Sequence, residues 1–283
     1  MKIVVTGANG YLGRGIIKQL LDDHVQVTAV DFNCDQVDER AERITADLFQ
    51  IQNPFEYFGK PDCLLHLAWR DGFQHNAKSH MEDLPKHYQF IKDLVEGGLK
   101  KISVLGSMHE IGFYEGAIQD DTPANPQTLY GISKNALRQA VAYLADSHGV
   151  SYQWIRGFYI VSNTNVGSSI FSKIVQSVEA GKTIFPFTTG VNQYDFLDYE
   201  EFCIRAAAIV EQTEINGIVN CCSGWPERLS TRVESFIREN QYDIQLEYGA
   251  YPDRPYDSKA VWGDDRKINI ILQKKEDGHA GKS

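Results

Sequence analysis

The stretch "TGANGYLGRG" at residues 6–15 decides the fold, because its glycines stand between a short apolar run and a helical pattern. The run before it is "KIVVTG" and the pattern after it is "LGRGIIKQLLDD". Gly7 permits a tight turn, Gly10 lets the backbone approach a pyrophosphate, and Gly13 lets helix and strand pack closely. The pyrophosphate would lie at the helix N-terminus. This stretch therefore predicts a dinucleotide-binding βα unit.

The same alternation of apolar runs and helical patterns continues along the first half of the chain. Further strands are predicted at 25–31, 43–48, 63–68, 101–107 and 152–160, and helices at 12–23, 86–98 and 130–149. Strands that are apolar nearly throughout and are separated by helices indicate a parallel sheet covered on both faces. The predicted fold class is α/β, a doubly wound parallel sheet of the Rossmann type.

The second half of the chain is expected to complete the sheet and to add a smaller lobe. Residues 1–160 form the predicted dinucleotide-binding domain, and a helix and strand within about 199–222 complete its sheet. Residues 161–198 and 223–283 form the predicted C-terminal substrate-binding lobe. The tail "KKEDGHAGKS" is expected to be frayed.

Composition narrows the class of partner. The net charge of −10 argues against nucleic acid or an anionic membrane as the main partner. The five cysteines fit neither a disulfide framework nor a zinc site, so we expect free thiols, no bound metal and a reducing, cytoplasmic compartment. The start "MKIVVTGANG" lacks the long apolar run of a secretory signal, and we expect no membrane-spanning segment.

Two acidic residues are candidates for recognising the adenosine half of a dinucleotide. Asp31 ends the second predicted strand, where a carboxylate accepts from both ribose hydroxyls and repels a 2′-phosphate. NAD is therefore expected rather than NADP, since no arginine follows until Arg40. Asp47 in "TADL" either reaches the adenine amino group or is a solvated acid at a strand end.

A tyrosine and a lysine lie one helical turn apart in "TLYGISKNALRQA", residues 128–140. Tyr130 and Lys134 therefore share a face of the predicted helix. The pair is either a chance surface pair or a phenol whose proton affinity the ammonium lowers. The spacing alone leaves both interpretations open.

Several motifs together resemble the extended short-chain dehydrogenase/reductase family, in its branch of nucleotide-sugar epimerases, dehydratases and ketoreductases. They are "TGANGYLG" (6–13), Asp31, "ADL" (46–48), "HLAW" (66–69), "SMHEIG" (107–112), "YGISK" (130–134) and "YDFLDYEEF" (194–202). The resemblance implies a homodimer formed through the helices at 86–98 and 130–149. It also implies a small-molecule sugar substrate, expected to be nucleotide-linked.

The resemblance assigns the catalytic residues as Ser107, Tyr130 and Lys134. Lys134 would hold the nicotinamide ribose and, with the cationic ring, depress the pKa of Tyr130. Tyr130 would exchange a proton with a sugar oxygen that Ser107 also binds. The implied NAD contacts are Gly7, Asn9, Gly10, Tyr11, Leu12, Gly13, Asp31, Asp47, Leu48, Leu67 and Ala68, together with Tyr130 and Lys134.

Departures from the family pattern limit the reaction. Gly106 replaces the family's second serine, and Met108 and His109 stand where dehydratases carry an Asp-Glu pair, so elimination of water is not expected. Glu110 would need a shifted backbone to serve instead. Met108 and His109 are substrate-contact candidates, although a structural role for the histidine is as well supported.

Two arginines and two aromatic residues complete the candidates. Arg156 either binds a phosphate or carboxylate near the site or forms a buried salt bridge. Arg254 is placed like a family arginine that clamps a nucleotide-sugar diphosphate, with a surface arginine as the alternative. Trp69 and Tyr159 either wall the pocket or pack in the core. Asp195 and Asp198 are expected to organise backbone and a helix start, with Tyr194 in place of the family's arginine.

The functional hypothesis is an NAD(P)-dependent oxidoreductase that transfers hydride at a sugar carbon, reducing a nucleotide-linked 4-keto-6-deoxy sugar. Alternatives are a nucleotide-sugar 4-epimerase and an NAD-dependent uronate dehydrogenase, the latter motivated by "SMHEIGFY" and Arg156. A non-catalytic NAD(P)-sensing regulator on the same fold is a further class, but such proteins often lose the tyrosine that this chain retains.

Overall fold

A seven-stranded parallel sheet forms the centre of the computed structural model, which describes residues 1–253 and 257–280. Its strands are β1 (Lys2–Thr6), β2 (Gln26–Asp31), β3 (Glu42–Thr45), β4 (Cys63–His66), β5 (Lys101–Ser107), β7 (Ser151–Gly157) and β11 (Gly217–Cys221). Their order across the sheet is β11-β7-β5-β4-β1-β2-β3, and every neighbouring pair is parallel. The strand order reverses between β1 and β4, the switch point where such sheets bind ligands.

Helices cover both faces of this sheet. They are α1 (Tyr11–Asp22), α2 (Pro54–Tyr57), α3 (Ser79–Gly97), α4 (Leu129–His148), α6 (Tyr199–Glu211) and α8 (Arg266–Ala280). Helices α3 and α4 enclose one apolar core with β4, β5 and β7, whereas α1, α6 and α8 enclose another. Burial of apolar side chains on both faces accounts for strands without alternating polarity.

The chain also forms a second sheet with its own core. Strand β10 (Gln193–Asp198) pairs with β12 (Pro226–Arg228), β14 (Ala260–Gly263) and β8 (Tyr159–Val161), and β14 also pairs with β6 (Gly116–Ile118). Helices α5 (Ile170–Glu179) and α7 (Leu229–Glu239) pack beside it, with a two-stranded pair of β9 (Ile184–Pro186) and β13 (Gln245–Glu247).

Three details differ from the sequence expectations. The predicted strand 152–160 is two strands, β7 in the large sheet and β8 in the small one, because the chain leaves the first sheet after Gly157. The third strand ends at Thr45, before a short 3₁₀ turn at residues 48–50. The tail expected to fray is helical as far as Ala280, since Ile268 and Ile271 of α8 are buried.

The helices and the cysteines bear on two further expectations, the absence of a membrane-spanning segment and the presence of free thiols. None of the helices in the described ranges is long and apolar enough to cross a membrane. All five cysteines lie within these ranges as free, buried thiols. Burial raises the pKa of the Cys63 thiol to about 11, so this side chain acts as a small apolar group of the core.

Candidate active site

The glycine loop connects β1 to α1 with little room for larger residues. Gly7 has φ of +70°, and a Cβ there would lie 2.7 Å from the Ala68 nitrogen. A Cβ on Gly13 would lie 2.2 Å from the Gly7 carbonyl oxygen, which shows the close contact of helix and strand. Gly10 is exposed and is the N-cap of α1, without a side-chain cap among the described residues. The helix N-terminus is therefore open to an anion.

Asp31 lies beside this helix terminus, held in place by the backbone. Its Oδ2 accepts from the Asn9 amide at 2.9 Å and its Oδ1 accepts from the Phe32 amide at 2.7 Å. The Asn9 side chain accepts from the Gln36 amide at 3.0 Å, which ties the glycine loop to the turn after β2. The carboxylate is fixed at the strand end where a ribose would be recognised.

The residues of this end fit a dinucleotide. The Tyr11 hydroxyl is buried beside Ser162 and lacks a hydrogen bond of ordinary geometry within residues 1–253 and 257–280. Leu12 lies in the first turn of α1, while Leu67 and Ala68 follow β4 against the glycine loop. Asp47 accepts from the Phe49 amide at 3.0 Å and thus caps the turn that contains the buried Leu48.

Ser107, Tyr130 and Lys134 come together beyond the carboxyl end of β5. Ser107 is the last residue of that strand, and its hydroxyl is within hydrogen-bonding reach of the Tyr130 phenol. Tyr130 and Lys134 lie in the first turns of α4, whose N-cap Thr128 accepts from the Gly131 amide at 3.1 Å. Capping begins the helix one residue before Tyr130. The phenol reaches Ser107 at the strand end.

The surroundings of Tyr130 raise its pKa in the protein itself. Burial raises it to about 12, and the Ser107 hydrogen bond lowers it only in part, while the Glu110 carboxylate raises it. The lowering expected from Lys134 together with the cationic nicotinamide ring stays a prediction; in this structure the Lys134 ammonium donates to the Leu105 carbonyl at 2.7 Å. In the protein alone, the phenol is therefore a weaker acid than a free tyrosine.

Lys134 is the cation of the site and is 97% shielded, with 3% of its surface exposed. Burial lowers its pKa from the ordinary 10.5 to about 7, and the nearby Glu110 carboxylate raises it in part. Its Nζ lies 4.0 Å from the centre of the Trp69 ring. Trp69 thus lies at the site itself and is more than a core residue.

Arg156 lies in a buried ion pair, which corrects the prediction that it contacts substrate. It is 1% exposed, and its Nε donates to the Glu110 Oε1 at 2.6 Å. Its Nη1 donates to the Gln119 carbonyl at 3.0 Å and to the Asn220 amide oxygen at 3.3 Å. The guanidinium is enclosed and engaged, so the structural salt bridge is the correct alternative.

Glu110 and Gly106 explain two departures from the family pattern. Glu110 is fully buried and also accepts from the Trp154 indole nitrogen at 2.8 Å, so it is not available to protonate a leaving hydroxyl. A Cβ on Gly106 would lie 1.9 Å from that same indole nitrogen. The indole occupies the space of the family's second serine, which accounts for the glycine.

Histidines surround Tyr130, and the sequence analysis had singled out one of them. His109 and His75 lie against each other at 4.5 Å between ring centres, and His75 stacks on the Tyr130 ring at 5.3 Å and 12°. Burial lowers the pKa of His109 to about 4, so it is neutral. His80 also contacts the tyrosine ring at 5.4 Å. His80 and His87 are seven residues apart and so share a face of α3, which was the available sequence signal for His80 here and for His87 against Trp69.

The remaining candidates lie in or near the second sheet. Met108 is buried, and Tyr159 packs on Tyr194 at 4.7 Å between ring centres. Asp195 is fully buried and accepts from the Ser223, Gly224 and Gly263 amides, which confirms that it organises backbone. Asp198 is the N-cap of α6 and pairs with Arg232. Arg254 lies outside the described residues.

Comparison with known proteins decides the family. The sequence model of the NAD dependent epimerase/dehydratase family matches residues 3–222. The chain belongs to the NAD-dependent epimerase/dehydratase family. This confirms the resemblance inferred from the motifs, together with the expectation of an NAD-dependent sugar oxidoreductase or epimerase.

Individual relatives agree with this assignment. The chain is 40% identical over 269 residues, covering 93% of it and 99% of the relative, to dTDP-6-deoxy-L-talose 4-dehydrogenase (NAD(+)) of Aggregatibacter actinomycetemcomitans. It is similar in structure to UDP-N-acetylglucosamine 4-epimerase from Methanobrevibacter ruminantium M1, with a TM-score of 0.82, 19% identity and coverage of 95% and 91% of the two chains.

UDP-glucose 4-epimerase from Thermotoga maritima is similar to the same extent, with a TM-score of 0.81, 16% identity and coverage of 95% and 92%. At sequence identities of 19% and 16%, these two structures show similarity of fold only, and they confirm the doubly wound α/β class.

Proposed function

We propose that this chain is an NAD-dependent oxidoreductase that acts at C4 of a dTDP-linked 6-deoxyhexose, reducing the 4-keto sugar or oxidising the 4-hydroxyl. The observation that carries the proposal is the 40% identity to a dTDP-6-deoxy-L-talose 4-dehydrogenase over 99% of that protein. The Ser107 hydroxyl and the Tyr130 phenol lie within hydrogen-bonding reach, and Lys134 follows one turn along α4, which supports the same chemistry here.

When bound, NAD supplies or accepts the hydride. In the direction of reduction, the Tyr130 phenol donates its proton to the sugar carbonyl oxygen, and the Ser107 hydroxyl holds that same oxygen. The Tyr130 phenol is protonated at neutral pH, so it carries the proton that the reduction needs. The Lys134 ammonium holds the nicotinamide ribose and favours the tyrosinate left after proton donation.

We assign the cofactor and substrate to different parts of the fold. The open N-terminus of α1 holds the pyrophosphate and the fixed Asp31 carboxylate holds the adenosine ribose, which favours NAD over NADP. The second sheet with α5 and α7 is the proposed binding lobe for the nucleotide sugar. The predicted bounds of this lobe, 161–198 and 223–283, need two changes: strands β6 and β8 from earlier in the chain join its sheet, and α8 packs with α6 on the large sheet. The rest of residues 1–160, with 199–222 and α8, forms the proposed dinucleotide-binding domain.

The buried ion pair weakens the uronate dehydrogenase alternative. That alternative needed a cation for the sugar carboxylate, and Arg156 is engaged with Glu110 instead. Elimination of water is disfavoured because the Glu110 carboxylate, one place beyond the position of the family's acid pair, is enclosed with two donors.

The test is a substrate panel on the purified protein, with NAD or NADH followed by absorbance and products identified by mass spectrometry. We expect NAD-linked conversion of a dTDP-6-deoxyhexose and its 4-keto form, and none of free galacturonate. Conversion of one UDP- or dTDP-hexose to its C4 epimer, without net NADH formation, would instead select the epimerase. Absence of any turnover across the panel would remove the proposal.

We also propose a cytoplasmic homodimer formed through α3 and α4. Three apolar side chains of these helices are exposed, namely Met81, Ile132 and Tyr143. Free thiols suit a reducing compartment. Sedimentation of the wild type should give a dimer mass and Tyr143→Glu a monomer mass, whereas a wild-type monomer would exclude this interface.

A further inference from the structure

Trp69 lies against the cation of the active site. It follows β4 by three residues, and the Lys134 Nζ lies 4.0 Å from the centre of its indole ring. The negative face of an indole attracts a cation, most strongly where water is excluded. Lys134 is buried, so the ring face substitutes for water that the ammonium has lost.

Hydrogen bonds fix the plane of this indole. Its Nε1 donates to the His80 Nδ1 at 3.0 Å, and the His80 Nε2 lies 3.0 Å from the Gln74 carbonyl oxygen. An imidazole that accepts at Nδ1 and donates at Nε2 is the neutral Nε2–H tautomer. His80 is 1% exposed, so water does not compete for the indole N–H.

A stacked imidazole, that of His87, also restrains the Trp69 indole, by contact with the face of the ring. Trp69 stacks on His87 at 4.6 Å between ring centres and 11° between planes. The His87 Nδ1 bonds to the His66 Nε2 at 2.9 Å, and the His66 Nδ1 bonds to the Thr6 hydroxyl at 2.8 Å. This chain of side chains begins on β1 beside the glycine loop and ends at the indole.

The groups that face Lys134 come from four elements. Glu110 of the turn at 108–110 is the acidic group acting on it, and His66 of β4 and His87 of α3 are the basic ones. Burial lowers the pKa of His87 to about 3 and that of His66 well below its ordinary value, so both rings are neutral. Tyr130 on its own helix is protonated. Glu110 already forms an ion pair with Arg156, so it balances the Lys134 charge only in part.

We propose that Trp69 is a positioning residue for Lys134. The Trp69 indole face, restrained by His80 and His87, holds the ammonium in place and stabilises its charge. The role of Lys134 in turnover rests on the proposed function, but the contact between the two side chains does not. Trp69 therefore sets the pH range over which Lys134 is charged.

The direct test uses no substrate. Lysines are labelled with ¹³C at Cε in the wild type and in W69F and W69L, and the Lys134 resonance is identified by its loss in K134R. We expect the wild-type resonance to be shifted upfield by the indole ring current. W69L should lose that shift and lower the Lys134 pKa by about one unit, or about 1.4 kcal/mol. W69F, which keeps a ring face, should stay within about half a unit of the wild type.

An unchanged Lys134 pKa in W69L would overturn the inference. Should W69L fail to fold, W69M keeps the bulk without a ring face and gives the same measurement. Circular dichroism at the titration temperature confirms that each variant is folded.

Turnover gives the second readout. Because Lys134 acts as a cation, kcat/KM should fall as pH rises through its pKa, and W69L should move this limb down by about one pH unit. The loss of kcat/KM in W69L should therefore grow as pH rises through the limb, whereas simple structural damage would lower activity by the same factor at every pH. If W69L changes the Lys134 pKa but the wild type shows no activity on dTDP sugars, only the proposed function is overturned. If the wild type is active on dTDP sugars but W69L changes neither the Lys134 pKa nor the pH limb of kcat/KM, only the inference about Trp69 is overturned.

Discussion

Replacing Lys134 by methionine should make the protein more stable at acidic and neutral pH. In the folded protein the pKa of Lys134 is about 7, against an ordinary value of 10.5. At about 1.4 kcal/mol per pKa unit, that difference corresponds to about 5 kcal/mol of unfavourable charge burial. Methionine keeps most of the stem but leaves the Leu105 carbonyl without its donor, which costs about 1–2 kcal/mol. The expected net gain is about 3 kcal/mol.

The pH dependence of this gain identifies its cause. Below pH 7 both the folded and unfolded states carry the Lys134 charge, so the whole penalty is present. Between about pH 7 and 10.5 the folded state loses this proton while the unfolded state keeps it, so the wild type gains stability relative to K134M. The advantage of K134M should therefore be largest at acidic pH, vanish at about one pH unit below 10.5 and give way to a deficit of about 1–2 kcal/mol above it, the cost of the lost Leu105 hydrogen bond.

Urea unfolding at several pH values measures this difference. The control is Lys18→Met, which alters a side chain that is 67% exposed and should change stability by less than about 0.5 kcal/mol at every pH. A K134M protein less stable than the wild type at acidic pH, or one whose advantage is independent of pH, would refute the reasoning.

Three further substitutions test other parts of the site. Glu110→Gln leaves the Arg156 charge buried without its counter-charge and should lower the free energy of unfolding by about 3–5 kcal/mol, measured in urea; a loss below about 1 kcal/mol would contradict this. Gly106→Ser must displace the Trp154 indole and should cost about 1–3 kcal/mol in the same assay, where unchanged stability would show that the indole yields freely. Asp31→Asn should weaken NAD binding at least about tenfold by calorimetry without changing the unfolding midpoint by more than a few degrees, and equal affinity would remove its assigned role.

The large sheet and the glycine loop were readable from sequence because their causes are local. Parallel strands buried on both faces appear as continuous apolar runs, and Gly7 and Gly13 are required by contacts within one βα turn. The position of Ser107 at the end of β5 followed from the same pattern. The end of α8 was missed, because the burial of Ile268 depends on contacts between α8 and α6 that no local pattern displays.

The electrostatics of the site depended on contacts between distant residues. The partners Arg156 and Glu110 are separated by 46 positions, so sequence left a buried ion pair and a ligand contact equally open. The raised pKa of Tyr130 depends on its burial, and only the folded protein shows that the Lys134 ammonium is directed at Leu105 and Trp69. Residue types identified the acid, while the fold determined its strength.

The most direct test of the proposed chemistry is Tyr130→Phe, measured both for NADH binding and for NADH-dependent reduction of a dTDP-4-keto-6-deoxyhexose. The substitution removes the proton donor while leaving the ring that His75 stacks on. We predict NADH affinity within about twofold of the wild type and turnover reduced at least about a hundredfold. Turnover close to that of the wild type would contradict the claim that this phenol supplies the proton.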